Sequence, residues 1–138
     1  MPVMLGCHTS IQAPFCKTST EADCILKLGV LKRVELNERS LPTGHFIELD
    51  KDERQLADIG NSPYFKPLDH HYIAREAEEN QMVLTDSKEK VSFVLLRDPS
   101  FRFWMLYNDD AKSGFFCPEP QTNMVNAPNV PLSYKKTG

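Results

Sequence analysis

Apolar and polar residues alternate with a period of two along most of this chain. Val3, Leu5 and Cys7 share one face of a first extended run. Cys24, Leu26, Leu28 and Val30 share a face of the next, with Ile25 apolar on the other side. Val34 and Leu36 continue it after Lys32-Arg33. Further strands are predicted over residues 45–49, 72–74, 81–85, 91–96 and 101–107. In the last of these, Phe101, Phe103, Met105 and Tyr107 share one face and Arg102, Trp104 and Leu106 the other, so both faces are covered near its middle. Pro42-Thr43-Gly44, Asp98-Pro99-Ser100 and Asn108-Asp109-Asp110 read as turns. Only residues 52–59 carry a helical signal, stopped by Gly60-Asn61. Many short strands and one short helix predict an all-β, antiparallel β-sandwich in a single domain over residues 1–138. The apolar run at the start, and the lack of a final strand after Pro131-Leu132-Ser133-Tyr134, predict open sheet edges through which copies could associate.

Composition narrows the partners. The chain of 138 residues has 10 prolines and 6 glycines, which favour turns over long helices. Its net charge of -3 and scattered basic residues, never more than two in a row, argue against nucleic acid or an anionic membrane as partner. No apolar stretch is long enough to span a bilayer, and residues 1–10 have no secretory pattern, so a cytoplasmic location is expected. Cys7, Cys16, Cys24 and Cys117 form no CxxC pair, and four histidines show no zinc spacing. The thiols read as reduced and no metal is expected; spacing alone leaves a disulfide open.

Three segments could carry chemistry. In Phe115-Phe116-Cys117-Pro118-Glu119-Pro120-Gln121 a carboxylate lies between two prolines. Each proline fixes its own φ and holds the preceding residue extended, so Glu119 loses little freedom on meeting a ligand. It is a candidate base; the plain alternative is a loop carboxylate. His8 ends the first run, where Gly6 permits close backbone approach. It otherwise reads as a strand-end histidine bonded to a carbonyl. Asp69-His70-His71-Tyr72 follows Pro67, and adjacent histidines on a strand point to opposite faces, so they make no natural metal pair. Cys117 reads as a small buried hydrophobe. Phe101, Phe103 and Trp104 read as core, with Trp104 or Tyr64 also open to lining a sugar-stacking wall. Asp109-Asp110 and the acidic residues from Glu76 to Glu79 read as solvated charge.

Taken in order, these segments resemble the aldose 1-epimerase (galactose mutarotase) family. Met1-Pro2-Val3-Met4-Leu5-Gly6-Cys7-His8 is similar to the family's P-x-x-x-G-x-H strand. Leu41-Pro42-Thr43-Gly44 is similar to its LPTG turn, Asp69-His70-His71-Tyr72 to its D-H-x-F segment, and Cys117-Pro118-Glu119-Pro120-Gln121-Thr122 to its C-x-E-P-x-T segment. The resemblance covers the C-terminal portion of a family member. It implies a galactose mutarotase-type sandwich, Glu119 as general base, His8 as general acid and Asp69 as a hydrogen-bond acceptor from a sugar hydroxyl; His70 beside it and Trp104 are the further expected substrate contacts. It implies an aldohexose or related sugar as substrate and no cofactor.

Departures qualify the expected activity. The family's upstream histidine and arginine, and its closing strand, have no counterpart in these residues. Thr9-Ser10-Ile11 replaces the aromatic-rich H-x-Y-F continuation, and His71 stands where the family has another residue. This chain alone is therefore expected to be a slow mutarotase. A noncatalytic carbohydrate-binding module on the same scaffold and a sugar-phosphate 1-epimerase are the competing expectations. The latter would need several arginines near the pocket, for which Arg97 and Arg102 are the candidates.

Overall fold

A computed structural model describes residues 3–76 and 81–138. In chain order its strands are β1 (Ile11–Gln12), β2 (Cys24–Leu28), β3 (Val30–Leu36), β4 (Pro42–Glu48), β5 (Asp69–Ala74), β6 (Gln81–Asp86), β7 (Val91–Leu96), β8 (Phe103–Tyr107) and β9 (Phe115–Gln121). Helix α1 (Lys51–Asp58) follows β4, and a single helical turn, α2 (Tyr134–Thr137), lies near the end. The expected all-β sandwich with one short helix is what forms. Its sheets have the orders β1-β9-β8-β5-β3-β4 and β2-β6-β7, and the paired strands run antiparallel.

Alternation builds the main core. Cys24, Leu26 and Leu28 of β2 and Met82 and Leu84 of β6 point inward and meet Tyr72, Trp104, Leu106 and Phe116 of the large sheet. Leu56 and Ala57 of α1 join them. Burying each such side chain contributes about 1.5–3 kcal/mol, which is why the inward positions on these strands are almost all apolar. A smaller cluster lies on the opposite face of the large sheet, where Val34 and Phe103 pack under Met124 and Val130.

Helix α1 begins with a capping box. The Asp50 carboxylate accepts from the Glu53 N–H, and Glu53 accepts from the Asp50 N–H, each at 2.9 Å. Glu53 is fully buried and also accepts from Arg33 at 2.7 Å, Lys66 at 3.0 Å and the Tyr72 hydroxyl at 2.9 Å. The helix stops at Gly60, whose φ of +103° suits only glycine there.

One predicted strand differs. Residues 3–7 do not form a regular strand; only Gly6 bridges Gln121. The segment is nevertheless tied along the outer edge of β9. The Cys7 N–H donates to the Pro120 carbonyl at 3.2 Å, and the Thr122 N–H donates to the Leu5 carbonyl at 2.9 Å. Val3, Met4 and Leu5 stay exposed, so no packed face drives them into a ladder. Met1, Pro2 and residues 77–79 of the acidic run lie outside the described residues.

Candidate functional site

Proline spacing explains how Glu119 sits inside a sheet. The Pro120 carbonyl faces Cys7, away from β8. With a period of two, Pro118 and Thr122 face the same outer side, and Thr122 does bond Leu5 there. The donors that Pro118 and Pro120 lack are thus never needed by β8. Glu119, between them, pairs with Met105 of β8.

The register then defines the face around it. Met105 lies opposite His71 of β5, and Tyr107 lies opposite both Asp69 and Cys117. Glu119, Cys117, Met105, Tyr107, Asp69 and His71 therefore share one side of the large sheet. His8 reaches this side from the edge segment, with Nε2 3.2 Å from Glu119 Oε1. Gly6 makes the approach possible, since a Cβ there would meet Gln121 Cγ at 3.3 Å.

Glu119 is 12% exposed, against 68% for the His8 side chain. Burial raises the Glu119 pKa above its usual 4.5. The His8 ring opposes that rise, the nearby Asp69 charge adds to it, and a hydrogen bond with Gln121 opposes it. A carboxyl group raised in this way can take up and release a proton closer to neutrality. The buried Cys117 thiol is also pushed up, chiefly by burial, which keeps it protonated and unreactive.

Two expected sugar contacts lie elsewhere. His70 pairs with Leu106 on the opposite face from Glu119, near Arg33 and Lys66. Burial first, and those two cations next, lower its pKa to about 4. Trp104 pairs with Tyr72 and Pro120 on that same opposite face and is only 1% exposed. The Arg97 guanidinium lies 6.0 Å from its ring centre. Neither residue can touch a ligand held at Glu119, because strand alternation turns both toward the main core. Tyr64 is likewise structural: its hydroxyl donates to the Ala13 carbonyl at 2.6 Å in the core.

His71 takes the position expected of His70. It is 0% exposed, packs edge-on against Phe103 with ring centres 5.3 Å apart, and has a pKa lowered by burial to about 4. Neither ring nitrogen has a hydrogen-bond partner. Spacing from Asp69 could have identified it, since residues two apart on a strand share a face. Among the described residues, no group of three or more His, Cys, Asp or Glu is placed to hold a metal ion. No described helix is long and apolar enough to cross a membrane.

The two-sheet architecture has close counterparts among solved structures. A galactose mutarotase-like protein from Clostridium acetobutylicum superposes with a TM-score of 0.89 at 23% identity, over 98% of this chain and 41% of that one. The fold is the galactose mutarotase-like one. A candidate aldose 1-epimerase from Escherichia coli K12 gives a TM-score of 0.68 at 15% identity, covering 89% of this chain and 40% of its own. A galactose mutarotase related enzyme from Lactobacillus acidophilus gives 0.55 at 18% identity, covering 86% and 39%. This chain thus spans about two-fifths of each galactose mutarotase-like structure. No family model matches it.

Proposed function

We propose that the Glu119 face binds an aldohexose and exchanges protons with its anomeric centre, as in an aldose 1-epimerase. Support comes chiefly from the 3.2 Å contact between Glu119 and His8, a carboxylate and an imidazole brought together from opposite ends of the chain. In this reading Glu119 removes the proton from the anomeric hydroxyl while His8 protonates the ring oxygen. The bond between the anomeric carbon and the ring oxygen breaks, leaving an aldehyde. Rotation and reclosure, with the two protons returned, give the other anomer. His8 is exposed enough to swing from Glu119 and admit the sugar between them. Asp69, exposed at the start of β5, accepts a hydrogen bond from a second hydroxyl.

A second reading, sugar binding without turnover, draws support from the same exposure. A 68% exposed histidine is not held in one geometry, and an acid–base pair works only when both members are positioned. Glu119→Gln separates the readings. It keeps the shape of the side chain and removes the base. For the enzyme, polarimetry on α-D-galactose shows acceleration by the wild type that Glu119→Gln abolishes, while calorimetric binding persists. For the binding module, both proteins bind and neither accelerates. Absence of binding in both would overturn the two readings together.

A further inference from the structure

At the end of the large sheet where β5 leaves and β8 enters, a cavity of about 800 Å³ opens between the strand ends, the residue 97–102 turn and α2. Glu119, His8 and Asp69 do not line it. Phe46, Ile73 and Phe103 form an apolar floor. Among the described residues, the charged lining consists of Arg97, Arg102, Lys135 and Lys136 with Glu76. Among these described residues cations outnumber carboxylates, on a chain whose net charge is -3.

The cations come from two separate stretches of chain that are fastened to one another. Arg102 Nη2 donates to the Lys135 carbonyl at 2.8 Å, which holds α2 over the cavity. Arg97 donates to the carbonyls of Phe101 and Arg75, which fixes its guanidinium at the rim. The Lys136 N–H donates to the Ser133 carbonyl at 2.8 Å, so the turn carrying both lysines is closed. Like charges gathered over a low-dielectric floor repel one another, and an anion relieves that repulsion. The volume suits a small molecule, and the cations form a compact cluster and not a track for a polymer.

We propose that this cavity binds a small amphiphilic anion. The phosphate or carboxylate head lies between Arg102 and the two lysines, and the apolar body covers Phe46, Ile73 and Phe103. The site does not depend on the sugar chemistry assigned to Glu119.

Calorimetric titration of the full chain with octyl phosphate, octanoate, inorganic phosphate and octyl glucoside, each below its micelle concentration, tests this. One of the two octyl anions should bind at a single site, and the tighter one identifies the head. Inorganic phosphate and octyl glucoside should each bind at least about tenfold more weakly, since each lacks one half of the recognition. Lys135→Gln/Lys136→Gln should weaken the octyl anion by about tenfold, as should Arg102→Gln. Glu119→Gln should leave it unchanged, so failure here is distinct from failure of the sugar reading. Equal binding of octyl glucoside, no binding of either anion, or unchanged affinity in both folded variants would overturn the proposal.

Discussion

Two titrating groups on the Glu119 face are displaced in the same sense by burial: each is driven toward its neutral form. For His71 the consequence is thermodynamic. Its folded pKa of about 4 lies below the ordinary 6.5, so folding favours the neutral ring. That stability is complete above pH 6.5 and is lost as pH falls toward 4. The size is on the order of 3–4 kcal/mol, at about 1.4 kcal/mol per pH unit. Urea unfolding between these pH values should show wild-type stability falling more steeply than that of His71→Asn. Parallel curves would show that the imidazole titrates as if exposed. His70, also lowered to about 4, contributes in the same direction in both proteins and cancels in the comparison. For Glu119 the sign reverses. Its raised pKa disfavours the carboxylate, so its contribution to stability is full at low pH and lost as pH rises through the folded value.

At the scale of elements, the junction between α1 and β2 depends on one backbone conformation. A Cβ on Gly60 would stand 2.7 Å from Ile25 Cγ2 and 3.2 Å from the Leu26 carbonyl oxygen, at a φ of +103°. Gly60→Ala should cost about 1–2 kcal/mol, read as a lowered urea midpoint with unchanged slope. An unchanged midpoint would mean the helix can end another way. Much of this architecture was legible in the chain. Residues 91–96 form a strand as alternation predicts, and the helix predicted over 52–59 lies at Lys51–Asp58. Gly60 as its stop was likewise readable. What alternation left ambiguous was direction. Phe103 and Trp104 are both apolar and both buried, so pattern alone does not tell which lies on the Glu119 face. The adjacent histidines pose the same problem; the two-residue spacing from Asp69 points to His71, and pairing with β8 agrees: His70 opposes Leu106, and His71 opposes Met105. Alternation predicts a strand in the edge segment before His8. Its side chains find no partner layer, so a single bridge and a few backbone bonds hold it instead.

At the scale of the molecule, the sandwich brings residues 8 and 119 together although they are 111 positions apart, and this contact carries the functional reading. The fold supplies a rigid strand for Glu119 and a tethered edge for His8. It leaves His8 more exposed than Glu119, which is what separates turnover from binding in the two readings proposed. The other end of the same face carries the basic cavity, so a sugar and an anion could occupy one surface without competing. The measurement that bears most directly on the Glu119–His8 pair is the 13C NMR titration of the Glu119 carboxyl carbon, assigned by its loss in Glu119→Gln and repeated with α-D-galactose. The predicted result is a midpoint above the usual 4.5 that moves when the sugar is added. A midpoint at the ordinary value, unmoved by saturating sugar, would contradict it.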